Sequence, residues 1–206
     1  MGKALENKLK KQAALMKSAY ELFTTKGFSS TTIMDIAQRA GVAKGTFYLY
    51  FKDKVDIREK VIRKTSGQLL IEACNSLDEH IALTGEPHDT AEIFIYTINY
   101  LIDAVADDHL LVRFLSKHLS WGMFSDNAAG KVSASGEPIT FEEFIRAHLE
   151  EHNVEIKDLN LLLFTLLELV SSTCHDVILY EQPMPLDEYK PYLNNCIRLL
   201  VNSSIA

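Results

Sequence analysis

Between Ala43 and Lys54 the chain places donor groups at spacings that suit a nucleic-acid surface: Lys44, Thr46, Tyr48 and Tyr50 interleave with the apolar Phe47 and Phe51. On a short helix the two phenylalanines fall toward one side and hold it to a core, leaving an ammonium, a hydroxyl and phenols outward. Such a set does no covalent chemistry; it donates hydrogen bonds to phosphate oxygens and base edges. An α-helix fits the major groove of B-DNA, where each base pair presents its own donors and acceptors. Lys44 is the candidate for a guanine edge, Ala43 for a thymine methyl, and Thr46 for a base or a phosphate. Gly45 allows close backbone approach to a duplex. Tyr48 and Tyr50 are candidate phosphate donors, joined by Lys54 in the first turn of the next helix and Thr32 at the start of an earlier one. Singly, a tyrosine here is as readily a packing residue and a lysine a solvated one. The reading rests on the set.

The elements that must position these groups read as helices from end to end. Leu15, Met16, Ala19, Leu22 and Phe23 form one apolar stripe, ended at Lys26-Gly27. Thr32 is the expected N-cap of a second helix that turns Ile33, Ile36, Ala37 and Ala40 inward, with Gly41 closing it. A third helix is expected over 44–51. Asp53 then caps a long fourth helix reaching the late seventies, with Ile57, Val61 and Ile62 on its apolar face. Further helices are expected over 91–106, 110–121, 139–152, 156–180 and 186–203, with a mobile loop over 124–138. No segment sustains strand alternation. The expectation is an all-α chain of about nine helices: a three-helix helix-turn-helix head over 1–52 and a larger helical body over 53–206. The fourth helix belongs to both parts.

Charge divides the chain a little further on. Residues 1–64 hold 14 Lys/Arg against 6 Asp/Glu, and residues 65–206 hold 7 against 22. A first third of +8 on a remainder of −15 points only the first third at phosphates. Cys74, Cys174 and Cys196 are far apart, odd in number and without a CxxC pair, so neither a disulfide framework nor a zinc site is indicated. Lysines at 3, 8, 10 and 11 exclude a secretory signal. The most apolar stretch, 159–170, contains Asn160, Thr165 and Glu168 and reads as too short to cross a bilayer. A reducing cytoplasm is the expected compartment, with no membrane partner, cofactor or metal.

The ordered run Phe23, Gly27, Phe28, Thr32, Ile36, Ala37, Ala40, Gly41, Val42, Gly45, Tyr48, Tyr50, Phe51 and Lys54 resembles the N-terminal domain of TetR/AcrR-type transcriptional repressors. The resemblance covers residues 9–60. Two positions depart from the family pattern, since Ala43 stands where serine is frequent and Phe47 where leucine is frequent. The resemblance implies a homodimeric regulator that leaves double-stranded operator DNA when a small molecule binds its C-terminal body. It also implies dimerisation through the last two long helices, for which Leu163, Leu167, Val170, Ile178, Leu193, Ile197 and Leu200 are the candidates. Two readers held about one helical turn apart, or a simple multiple, require a near-palindromic operator.

Aromatic and polar side chains gather on the middle helices, and these are the candidates for an effector pocket: Phe94, Tyr96, Tyr100, Phe114, His118, Trp121, Phe164, Glu168 and His175. An aromatic core is the plainer reading of the same residues. An activator of the same fold remains open. A helical enzyme is the rival from another class, but no histidine has a glutamate three residues before it, as a di-metal bundle would need. His148 and His152 share a helix face with no third ligand in view.

Overall fold

The computed structural model describes residues 2–85, 89–115, 128–132 and 138–206, and among these lie nine α-helices and two short strands. α1 runs Lys3–Thr25 and stops where Gly27 adopts φ 86°, a left-handed conformation open to glycine at little cost. α2 (Ile33–Arg39) begins with a reciprocal capping box: the Asp35 N–H donates to Thr32 Oγ1 at 3.1 Å and the Thr32 N–H to Asp35 Oδ2 at 2.9 Å. α3 is only Lys44–Phe47, shorter than expected. Beyond Phe47 the backbone tightens, with the Leu49 N–H bonded to Thr46 O and the Tyr50 N–H to Phe47 O, so that Phe51 swings back into the core. Asp53 caps α4 (Lys54–Thr84) by accepting from the N–H groups of Val55 and Asp56.

The body continues with α5 (Thr90–Ala106), capped by Asp89, and α6 (His109–Leu115). α7 (Phe141–Glu151) carries a second capping box, Thr140 with Glu143. α8 (Leu159–Tyr180) is capped by Asp158, and α9 (Leu186–Ser204) follows. α8 and α9 are antiparallel neighbours: Ile156 bridges Ile205, and the Lys157 N–H donates to Ser204 O at 2.9 Å. The loop expected over 124–138 is corrected in part. β1 (Ala128–Val132) pairs antiparallel with β2 (Pro138–Thr140), strands too short for an alternation to stand out in the sequence. α8 is 22 residues long with mean hydropathy 1.5, which by length and composition suffices to cross a membrane, contrary to expectation. In this fold its Leu162, Leu163, Leu166, Cys174 and Val177 are packed in a core.

Two apolar cores result. Leu15, Ala19, Phe23, Ile36, Phe47 and Phe51 close the first with Ile57, Val61 and Ile62 of α4. The second gathers Leu70, Cys74 and Leu77 of the same helix with α5 and α7–α9. At about 1.5 Å per residue, α4 is a rod of roughly 46 Å that serves both. α6 also divides: Leu111 and Phe114 pack into the first core, Val112 into the second.

Candidate nucleic-acid interface and ligand cavity

Phe47 is fully buried and anchors α3, which turns the helix's polar side outward. Ala43, Lys44 and Gly45 are exposed, Thr46 is half-buried and Tyr48 is exposed. Lys44 has no ion pair among the described residues, whereas Lys26, Arg39 and Lys60 are paired with Asp35, Glu21 and Asp56. Ala43 makes no side-chain cap to α3. Tyr50 is half-buried against the first core, so its phenol is less available than that of Tyr48. Leu49, assigned no role from the sequence, is 76% exposed beside Tyr48. Its signal was an apolar side chain on the outward phase between two tyrosines.

Lys54 requires a correction. Its Nζ donates to Phe28 O at 2.8 Å and Thr31 O at 2.9 Å, and lies 4.3 Å from the centroid of the Phe28 ring. Two of three donors are engaged within the chain, so Lys54 ties the α1–α2 turn to α4 rather than standing free for phosphate. Thr32, itself exposed, caps α2 by accepting from the Asp35 N–H through Oγ1.

The Lys26 ammonium, 2.8 Å from Asp35, acts with the Thr32 N–H to hold the Asp35 carboxyl down at about 2. A depressed folded-state pKa gives stability that is present above the unfolded value near 4 and lost as pH falls through 2. The melting temperature is therefore expected to decline over that window, and Asp35→Asn to flatten the decline. An identical acid profile in the variant would contradict the assignment.

In the body, α4–α8 enclose a cavity of about 160 Å³. One wall follows α5 through Phe94, Thr97, Ile98, Leu101, Ile102 and Val105. Another follows α8 through Leu163, Leu166, Leu167, Val170, Cys174, His175 and Ile178. Of the expected effector residues, Phe94 and His175 line it. Tyr96 instead bonds Ser76 Oγ at 2.8 Å and stacks on His80, while Tyr100 is half-buried outside the wall. Phe114 belongs to the first core, stacked on Phe23 at 6.0 Å. Phe164 and Glu168 face outward. His118 and Trp121 lie outside the described residues. The lining that aromatic content missed is aliphatic, marked only by the i, i+3, i+4, i+7 recurrence from Phe94 to Leu101.

The residues expected at a dimer interface turn inward in this chain. Leu193 and Ile197 are fully buried in their own chain, Leu200 packs against the second core, and Leu163, Leu167, Val170 and Ile178 line the cavity. The outer faces of α8 and α9 carry a different set, Leu161, Phe164, Tyr192 and Leu199, all exposed.

Residues 15–61 match the family described as bacterial regulatory proteins, tetR family. An uncharacterized HTH-type transcriptional regulator of Bacillus subtilis, YerO, is 48% identical over 44 residues, 21% of this chain and 15% of that protein. The fatty acid metabolism regulator protein of the same organism is 35% identical over 66 residues, 32% of this chain and 34% of that protein. Among these curated relatives the chain thus spans about a third of the length or less. FadR from Bacillus subtilis, solved in complex with stearoyl-CoA, superposes with TM-score 0.56 at 18% identity, covering 90% of this chain and 97% of that one.

Proposed function

We propose that this chain, whose residues 15–61 match the tetR family of bacterial regulatory proteins, is a dimeric transcriptional repressor, released from operator DNA by a small molecule bound in the cavity. The observation that carries the reading is α3: a helix fixed by a buried phenylalanine, presenting Lys44, Gly45 and Tyr48 to solvent from the basic third of the chain. FadR from Bacillus subtilis, which shares this fold, was solved with stearoyl-CoA, and that supports a small-molecule effector. A regulator that meets the chromosome works in the cytoplasm.

The mechanism follows from two shared elements. α4 carries both cores, and α6 places Val112 and Leu115 in the cavity wall while Leu111 and Phe114 pack beside α1. A ligand that binds one arrangement of α6 more tightly shifts the heads of a dimer away from operator spacing, and operator binding weakens ligand binding by the same factor.

Gly45 gives a clean test. A Cβ built there meets nothing within 4 Å, so the free protein has room for alanine. In an exposed helix that exchange is stabilising by about 0.5–1 kcal/mol. Gly45→Ala is expected to keep or raise the melting temperature yet weaken operator binding by about tenfold or more, 1.4 kcal/mol of lost contact. Unchanged affinity would remove α3 from the interface.

A further inference from the structure

The cavity wall has a one-sided hydrogen-bonding character. No Lys, Arg, Asp or Glu lines it among the described residues. Its hydroxyls already donate to their own helices: Ser66 to Ile62 O at 2.9 Å, Thr97 to Ile93 O at 2.8 Å and Ser171 to Glu168 O at 3.5 Å. What a donating hydroxyl still offers is a lone pair. His175 behaves alike. Its Nδ1 lies 2.8 Å from Asp176 Oδ1, and a carboxylate only accepts, so the tautomer this contact selects carries its proton on Nδ1 and leaves Nε2 as an acceptor. The rest of the wall is aliphatic, with Phe94, Phe141 and the Cys174 thiol, a weak donor.

Such a wall selects by chemistry. A carboxylate or phosphate entering it would shed water and meet acceptors, with no lysine or arginine to replace the lost solvation. An ether or ester would find only the weak Cys174 thiol as a donor. A hydroxyl finds partners, and its apolar remainder fills the cavity. The volume of about 160 Å³ is close to the roughly 150 Å³ of an engineered apolar cavity that takes benzene.

We infer that the cavity takes an uncharged, largely apolar molecule of about single-ring size bearing one hydroxyl, of the alkylphenol class, whose O–H donates to Thr97 or His175. This rests on the body cavity being the effector site, and it narrows that site to one chemical class. It also separates this cavity from one built around an anionic headgroup.

The test uses the full chain with 4-propylphenol, its methyl ether, 4-propylbenzoate and lauroyl-CoA, read by thermal shift and calorimetry, with operator affinity measured in parallel. The phenol is expected to bind about tenfold more tightly than the ether, the order of one hydrogen bond, and the benzoate to leave the melting temperature unmoved. Thr97→Val with His175→Phe is expected to bring phenol and ether to equal affinity, and Ile98→Trp, in a variant that still melts cooperatively, to abolish both. The comparison on the unsubstituted protein stands even where a variant fails to fold. Equal binding of phenol and ether, benzoate or lauroyl-CoA binding as tightly as the phenol, or no binding by any probe overturns the inference. Phenol binding without loss of operator affinity sinks the effector reading and leaves the cavity chemistry standing. Release by lauroyl-CoA with the phenol silent does the reverse.

Discussion

Replacing Phe164 and Leu199 together with aspartate is expected to leave a folded monomer whose operator affinity is lower by about two orders of magnitude or more. Phe164 is 40% and Leu199 71% exposed, so both present apolar surface to solvent. Antiparallel packing puts the start of α8 beside the end of α9, which gathers Leu161, Phe164 and Leu199 at one end of the helix pair. In a two-fold assembly this face meets its copy, and four charges brought onto it face one another without partners. A monomer binds each half-site alone and loses the high effective concentration that the second head enjoys in a dimer. Sedimentation and operator titration check the two halves of the prediction. By contrast Leu193→Ala or Ile197→Ala is expected to lower stability by about 2–5 kcal/mol through a core cavity. A dimer that survives the double aspartate variant would place the interface elsewhere.

Lys54→Ala is expected to lower stability by about 2 kcal/mol, because it strands two carbonyls that a charged donor satisfies and removes a cation from the Phe28 face. Operator binding should weaken with it, since the turn from Gly27 to Thr32 sets the approach of α2 to α1. The salt dependence separates this from a phosphate contact. A lysine lost from a phosphate lowers the slope of log affinity against log salt by about one, and Lys54→Ala is expected to leave that slope unchanged. Lys44→Ala should leave the melting temperature unchanged and cost affinity selectively at one base position. An undisturbed melt with a reduced slope for Lys54→Ala would restore the phosphate role.

The head was legible because its boundaries follow local rules. Thr32 and Asp53 cap, Gly27 and Gly41 take positive φ, and Phe47 and Phe51 bury, all on information within a few residues. The body was legible as helices but not as surfaces. α8 is apolar on more than one face, and nothing in its periodicity says that Leu163 and Leu167 meet a cavity while Leu161 and Phe164 meet solvent. Leu193 and Ile197 form the stripe that any amphipathic helix needs for its own core, and such a stripe reads the same for a partner chain. Aromatic content misdirected the search for the cavity, because Tyr96 and Phe114 serve packing and hydrogen bonding elsewhere. Lys54 shows a further limit: an ammonium suits a carbonyl pair as well as a phosphate, and only the tertiary approach of the α1–α2 turn decides.

The most direct test of α3 as a reader of duplex grooves, twice per assembly, is selection of binding sites from a pool of randomised double-stranded DNA by the purified full chain. The expected result is an enriched inverted repeat with half-site centres about 10 base pairs apart or a simple multiple, with the preference at one base position of each half-site relaxed on Lys44→Ala. No enrichment, or a single unrepeated half-site, would contradict the account.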